Sequence, residues 1–177
     1  MITEIEVADP SLVVLIGAAG AGKSTFASRH FGVDEVLSSD RYRKLVSGDE
    51  ANQAATRAAF LRLHHDLETR LANGLLTVVD ATSVQSRSRR SLVARATAAG
   101  VPTIAIVLDL PAETVYARNA ARPARTVDFA VVSRQLAGVR ASLDGPDPAI
   151  AHDGFDRVVI LRDPAEVDRV RIRRRPA

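Results

Sequence analysis

Leu12-Val13-Val14-Leu15-Ile16-Gly17-Ala18-Ala19-Gly20-Ala21-Gly22-Lys23-Ser24-Thr25 decides the fold. Five apolar residues in a row read as a strand buried on both faces. A G-x-x-x-x-G-K-[ST] run follows and opens a helical stretch to about His30. Strand, glycine-rich turn and helix in that order make a phosphate cradle. The glycines let the backbone curl until successive N–H groups face one anion, and the helix N-terminus adds positive potential. Gly17 to Thr25 are therefore the candidate nucleotide-binding residues. Lys23 is placed to reach the outer phosphates and Ser24 to ligate Mg²⁺. ATP, or another nucleoside triphosphate, with Mg²⁺ is the expected ligand.

Outward from this stretch, elements alternate. Strands are expected at Glu35 to Ser38, Leu75 to Val79, Thr103 to Leu108 and Val158 to Leu161. Helices are expected at Asp40 to Val46, Ala51 to Asn73, Ser86 to Ala99, Pro111 to Ala121 and Val127 to Leu143. Asp49 is a candidate cap for the long helix, whose Phe60, Leu63, Leu67 and Leu71 recur at helical spacing. This alternation predicts an α/β fold, a doubly wound parallel sheet of P-loop kinase architecture with an Arg-bearing helical lid. One domain spans 1–177 in this reading, with the lid at about 118–140 and an Arg-rich tail from about 169.

Composition narrows the chemistry. The chain has 177 residues, 46% of them hydrophobic, and no Cys, which excludes thiolate metal sites and thiol catalysis. Leu12 to Ile16 is far shorter than a membrane span and no signal peptide precedes it, so a cytoplasmic protein with no membrane partner is expected. Net charge is only +3, and of the 24 basic residues only Lys23 and Lys44 are lysines. Arg169, Arg171, Arg173, Arg174 and Arg175 dominate the high pI, which makes it weak grounds for nucleic-acid binding.

Beyond the phosphate loop, several residues have two readings. Asp40, just past the second strand, lies near the phosphate loop if that strand neighbours the loop strand; either Asp40 accepts a proton from an attacking hydroxyl, or Ser39 or Asp40 merely caps the following helix. Asp80 and Asp109 both end apolar strands, and one of them orders the Mg²⁺ water shell. Arg118 and Arg122, one helical turn apart, with Arg125 and then Arg134, are either lid arginines on the donor phosphates or a solvated basic face. Arg43 shares a helix face with Asp40, as a phosphate ligand or an ion-pair partner. His64 and His65 read as a helix-surface pair. Phe26, Phe31 and Phe60 read as core, leaving no platform for base stacking.

The loop followed by Phe26, the stretch Ser38-Ser39-Asp40-Arg41-Tyr42-Arg43, the run Leu76 to Thr82, and Arg118-Asn119 with Arg122 and Arg125 together resemble the kinase module of bacterial polynucleotide kinase-phosphatases. The similarity extends from about Ser11 to Ile172. It implies transfer of the γ-phosphate to the 5′-hydroxyl end of RNA or DNA during repair. Residue by residue, it implies Lys23 and Ser24 at the triphosphate and metal, Asp40 as general base, Arg43 on an acceptor phosphate, and Arg118 and Arg122 on the donor. It also implies a phosphatase or ligase module, in a longer chain or as a partner. Ser83 stands where the family typically has Asn. A small-molecule P-loop kinase and a non-catalytic nucleotide-sensing module are the competing readings.

Overall fold

The computed structural model describes residues 3–49, 52–123 and 126–177. Five parallel strands form the central sheet: β2 (Leu12–Ile16), β3 (Val36–Ser38), β4 (Thr77–Asp80), β5 (Thr103–Leu108) and β6 (Arg157–Leu161), in the order β3-β4-β2-β5-β6. Every side chain of β2, β4 and β5 is buried, as continuous apolar strands covered on both faces must be. Alternate residues feed two cores. Val13 and Leu15 pack with Phe26 and Ala27 of α1 (Lys23–His30), Val115 of α5 (Ala112–Ala120), and Val132 and Leu136 of α6 (Phe129–Leu143). Leu12, Val14 and Ile16 pack with Tyr42 of α2 (Ser39–Ser47), Leu63, Leu67 and Leu71 of α3 (Thr56–Ala72), and Leu92 and Ala96 of α4 (Ser86–Ala98). Each such buried aliphatic contributes roughly 1.5–3 kcal/mol.

The doubly wound reading holds, with corrections at particular elements. β3 does not neighbour β2, because β4 lies between them. From β2 the chain runs out to β3 on one side; from β4 it crosses β2 to reach β5 on the other. The ligand-binding crevice of such sheets lies where connections diverge in this way, outside the strand carboxyl ends. Asp49 does not cap the long helix: α3 starts at Thr56, after a 3-10 turn (Gln53–Ala55). Instead the Asn52 carboxamide oxygen accepts from the N–H groups of Ala54 and Ala55 at 3.0 and 3.3 Å.

Three further elements are β1 (Thr3–Asp9), α7 (Pro164–Arg169) and β7 (Val170–Pro176). The segment read as an Arg-rich tail is therefore mostly strand, paired in parallel with β1 from Thr3↔Val170 to Asp9↔Pro176. Ile5, Val7 and Val170 turn into the core, while Glu6 pairs with Arg175 and Glu4 with Arg173 on the outer face. The tail arginines are thus partly compensated by acids on the neighbouring strand. Among the described residues, no helix is long and apolar enough to cross a membrane.

Candidate functional site

A cavity of about 980 Å³ opens at the carboxyl ends of β2 and β4. The glycine-rich turn forms its floor. Gly22 caps α1 at φ 96°, in the left-handed region that favours glycine. At Gly20 (φ 92°) a Cβ would sit 2.5 Å from the Val115 carbonyl oxygen, so only glycine lets the turn press against α5. Ala18 and Ala21 are buried, whereas Ala19, Gly20 and Gly22 to Thr25 line the cavity.

The Lys23 ammonium donates to the carbonyls of Gly17 and Ala18, at 2.8 and 3.0 Å. Burial pulls its pKa down to about 8, partly opposed by the Asp80 carboxylate and reinforced by Arg122. The Ser24 hydroxyl donates to Asp80 Oδ2 at 2.7 Å. That contact distinguishes the surroundings of the two strand-end carboxylates. Asp80 lines the cavity, while Asp109 accepts from Arg162 at 3.1 Å and does not line it. A hydroxyl and a carboxylate side by side form the oxygen set a hard cation prefers. Among the described residues no three His, Cys, Asp or Glu gather to hold a metal, so most ligands of a bound Mg²⁺ would come from phosphate and water.

The opposite wall comes from α2 and α3. Ser38, rather than Ser39 or Asp40, holds the N-cap position of α2, and Gly48 at φ 76° ends the helix through its N–H to the Lys44 carbonyl. Asp40 thus lies in the first turn, facing the cavity. Its carboxylate pairs with Arg43 on the same helix, and Arg122 approaches its other oxygen at 4.0 Å. Tyr42, buried between them in sequence, donates to Asp66 of α3 at 2.5 Å and ties the two helices together. The placement first expected from adjacent strands is therefore reached otherwise, with β4 interposed and Asp80 between the loop and Asp40's helix.

Arg118 and Arg122 both reach the cavity, and Arg118 Nη1 is 3.4 Å from where a Gly22 Cβ would be. Arg122 lies just past the end of α5. Arg125 is outside the described residues. Arg134 is exposed on α6 and does not line the cavity. Its neighbour Gln135 does, and its carboxamide oxygen accepts from the Ala19 N–H at 2.8 Å. No motif marks Gln135; only the packing of α6 on the loop brings it there.

A second residue set went unnoticed in the sequence. Arg89, completely buried, donates to Asp153 at 2.5 Å and to the carbonyls of Ser83 and Val84 at 3.2 and 2.5 Å. It fastens the β4–α4 loop, where Ser83 has φ 47° and Ala81 and Thr82 line the cavity. His65 is exposed as expected, but His64 packs its ring 6.0 Å from that of Phe60. Phe26 and Phe31 are core, whereas Phe60 is only partly buried and lines the cavity.

The family model described as an AAA domain matches residues 12–146, three-quarters of the chain. The chain belongs to that family. Its fold is that of P-loop kinases. No curated protein matches this sequence. Among solved structures it is similar to an unliganded sugar kinase from Janibacter sp. HTCC2649, at 19% identity and TM-score 0.60 over 89% of this chain and 90% of that one. Kti12 of Chaetomium thermophilum, in complex with ADP-AlF3, shares 16% identity at TM-score 0.64, over 89% and 93%. A chain of the Pnkp1/Rnl/Hen1 RNA repair complex shares 20% identity at TM-score 0.62, over 75% of this chain and 45% of that one.

Proposed function

We propose that this AAA domain is a Mg²⁺-dependent kinase that transfers the γ-phosphate of ATP, or another nucleoside triphosphate, to the 5′-hydroxyl end of RNA or DNA. The observation that carries the reading is Asp40, which faces the same cavity as Lys23 and the Ser24–Asp80 pair and has Arg43 and Arg122 beside it. A module that only sensed nucleotide would need no carboxylate opposite the phosphate loop.

In this reading the loop N–H groups hold the triphosphate, and Lys23 exchanges the Gly17 and Ala18 carbonyls for phosphate oxygens. Ser24 and Asp80 would hold Mg²⁺ directly or through its water, and the ion when bound neutralises charge on the outer phosphates. Asp40 accepts the proton of the attacking hydroxyl, whose oxygen bonds to the γ-phosphorus as the bond to the β–γ bridging oxygen breaks. Arg118 of α5 and Arg122 just beyond it act as lid arginines and stabilise the charge that gathers on the leaving diphosphate. Arg43 orients Asp40 and is the nearest cation for an acceptor phosphate.

The test is transfer of labelled γ-phosphate to matched RNA and DNA strands bearing a 5′-hydroxyl or a 5′-phosphate. Label is expected on the 5′-hydroxyl strands alone. Asp40→Asn is expected to cut the rate at least about a hundredfold while leaving nucleotide affinity nearly unchanged. A second reading, a kinase of small hydroxyl compounds, draws support from similarity to the sugar kinase along nearly the whole of both chains. Label on sugars and on no strand would establish it instead.

A further inference from the structure

The two walls of the cavity differ in chemistry. Arg29, Val167 and Asp168 line one side, where Arg29 donates to the Asp168 carboxylate at 3.1 Å. Asp40, Arg43, Thr56 and Phe60 line the other. Phe60 lies one helical turn beyond Thr56, so both side chains share a face of α3. Among the described residues only two aromatic rings line the cavity, and Phe26 is 2% exposed. Phe60 is thus the partly exposed residue of the two, on the wall that carries Asp40.

The ring is held firmly. Part of it packs against the core beneath α3 and α4, and His64, one turn further on, supports it at 6.0 Å with the rings tilted by 60°. Burial, together with Arg95 nearby, pulls the His64 pKa down, opposed by Glu68, which favours the neutral apolar prop at pH 7 and above. Thr56 Oγ1 is shielded from solvent and has no hydrogen-bond partner among the described residues.

Resting on the kinase reading above, we propose that Phe60 is a specificity residue: its exposed face stacks on the terminal nucleobase of the acceptor strand and seats the 5′-hydroxyl at Asp40. A flat aromatic face accepts any base, because every base has a π-face. Recognition would then be tolerant of sequence yet selective for a nucleotide end over a bare polyol. Arg43 supplies the charge for the strand and Phe60 the stack.

The test compares 5′-hydroxyl strands that differ only at the first residue, a normal nucleotide or an abasic one, with the wild type, Phe60→Leu, Phe60→Ala and Phe60→Trp. Phe60→Leu keeps apolar volume against the core but removes the ring, so it remains informative where Phe60→Ala loses stability. Stacking on a single base is worth about 1–3 kcal/mol, so KM for the normal strand is expected to rise at least about fivefold in Phe60→Leu. KM for ATP and kcat at saturating strand should change little, KM for the abasic strand should not follow, and Phe60→Trp should restore tight binding. An equal rise in KM on both strands, or none on either, would overturn the stack while leaving the kinase intact. Label on sugars and on no strand by the wild type would overturn both.

Discussion

Lys23 is buried where it is most needed as a cation, and the cost shows in its pKa of about 8. A value of about 8 implies that the free protein would be roughly three-quarters protonated there at pH 7.5 and about one-tenth at pH 9. A triphosphate on the loop would surround the ammonium with anionic oxygens and hold the proton across that range. The sign follows directly. Binding takes up a proton, so affinity falls as pH rises through the free-state value. The ratio of protonated fractions gives about an eightfold weaker Kd for ATP with Mg²⁺ at pH 9 than at pH 7.5. Calorimetry in buffers of different ionisation enthalpy should find close to 0.2 protons taken up per nucleotide at pH 7.5 and about 0.9 at pH 9. Lys23→Arg, which does not titrate, should bind more weakly but without the slope. A flat Kd with no proton uptake would refute the argument, since Lys23 would then be charged before the nucleotide arrives.

Three other outcomes are expected. Asp80→Asn should raise the Mg²⁺ concentration needed for half-maximal activity at least about tenfold, by loss of the carboxylate beside Ser24, whereas Asp109→Asn should leave it unchanged; equal effects in a magnesium titration would undo the assignment. Arg89→Met strands a buried carboxylate and two carbonyls and should cost about 3–5 kcal/mol by urea unfolding, much of it recovered in Arg89→Met/Asp153→Leu. A single-variant loss below about 1 kcal/mol would mean that water replaces the guanidinium. Gly20→Ala forces a Cβ onto the Val115 carbonyl and should weaken both fold and nucleotide binding. Gly100→Ala, also at positive φ but with open space around it, should cost only about 1 kcal/mol and leave binding alone. Melting curves with and without ATP separate the two.

The period-two signal for the β1–β7 ribbon is present in the chain, in Ile5 and Val7 alternating with Glu4 and Glu6, and in Val170 and Ile172 alternating with Arg171 and Arg173. It is easily passed over because the second half reads as a run of charge. Asp40 and Arg43 were legible as a pair through their shared helix face, but the neighbouring strand assumed for them was not the one the sheet supplies.

What the sequence determined by itself is what depends on neighbours in the chain. The phosphate loop needs its glycines, Lys23 and Ser24 within eight residues, and buried strands and amphipathic helices declare themselves by period. Tertiary structure alone decided which carboxylate meets Ser24, which residue of α6 holds Ala19, what partners Arg89, and whether Phe60 is core or wall. Those contacts join residues 56, 116 and 64 positions apart in the first three cases. No local pattern encodes such a distance; the strand order, set by burying both faces of the sheet at once, brings them together.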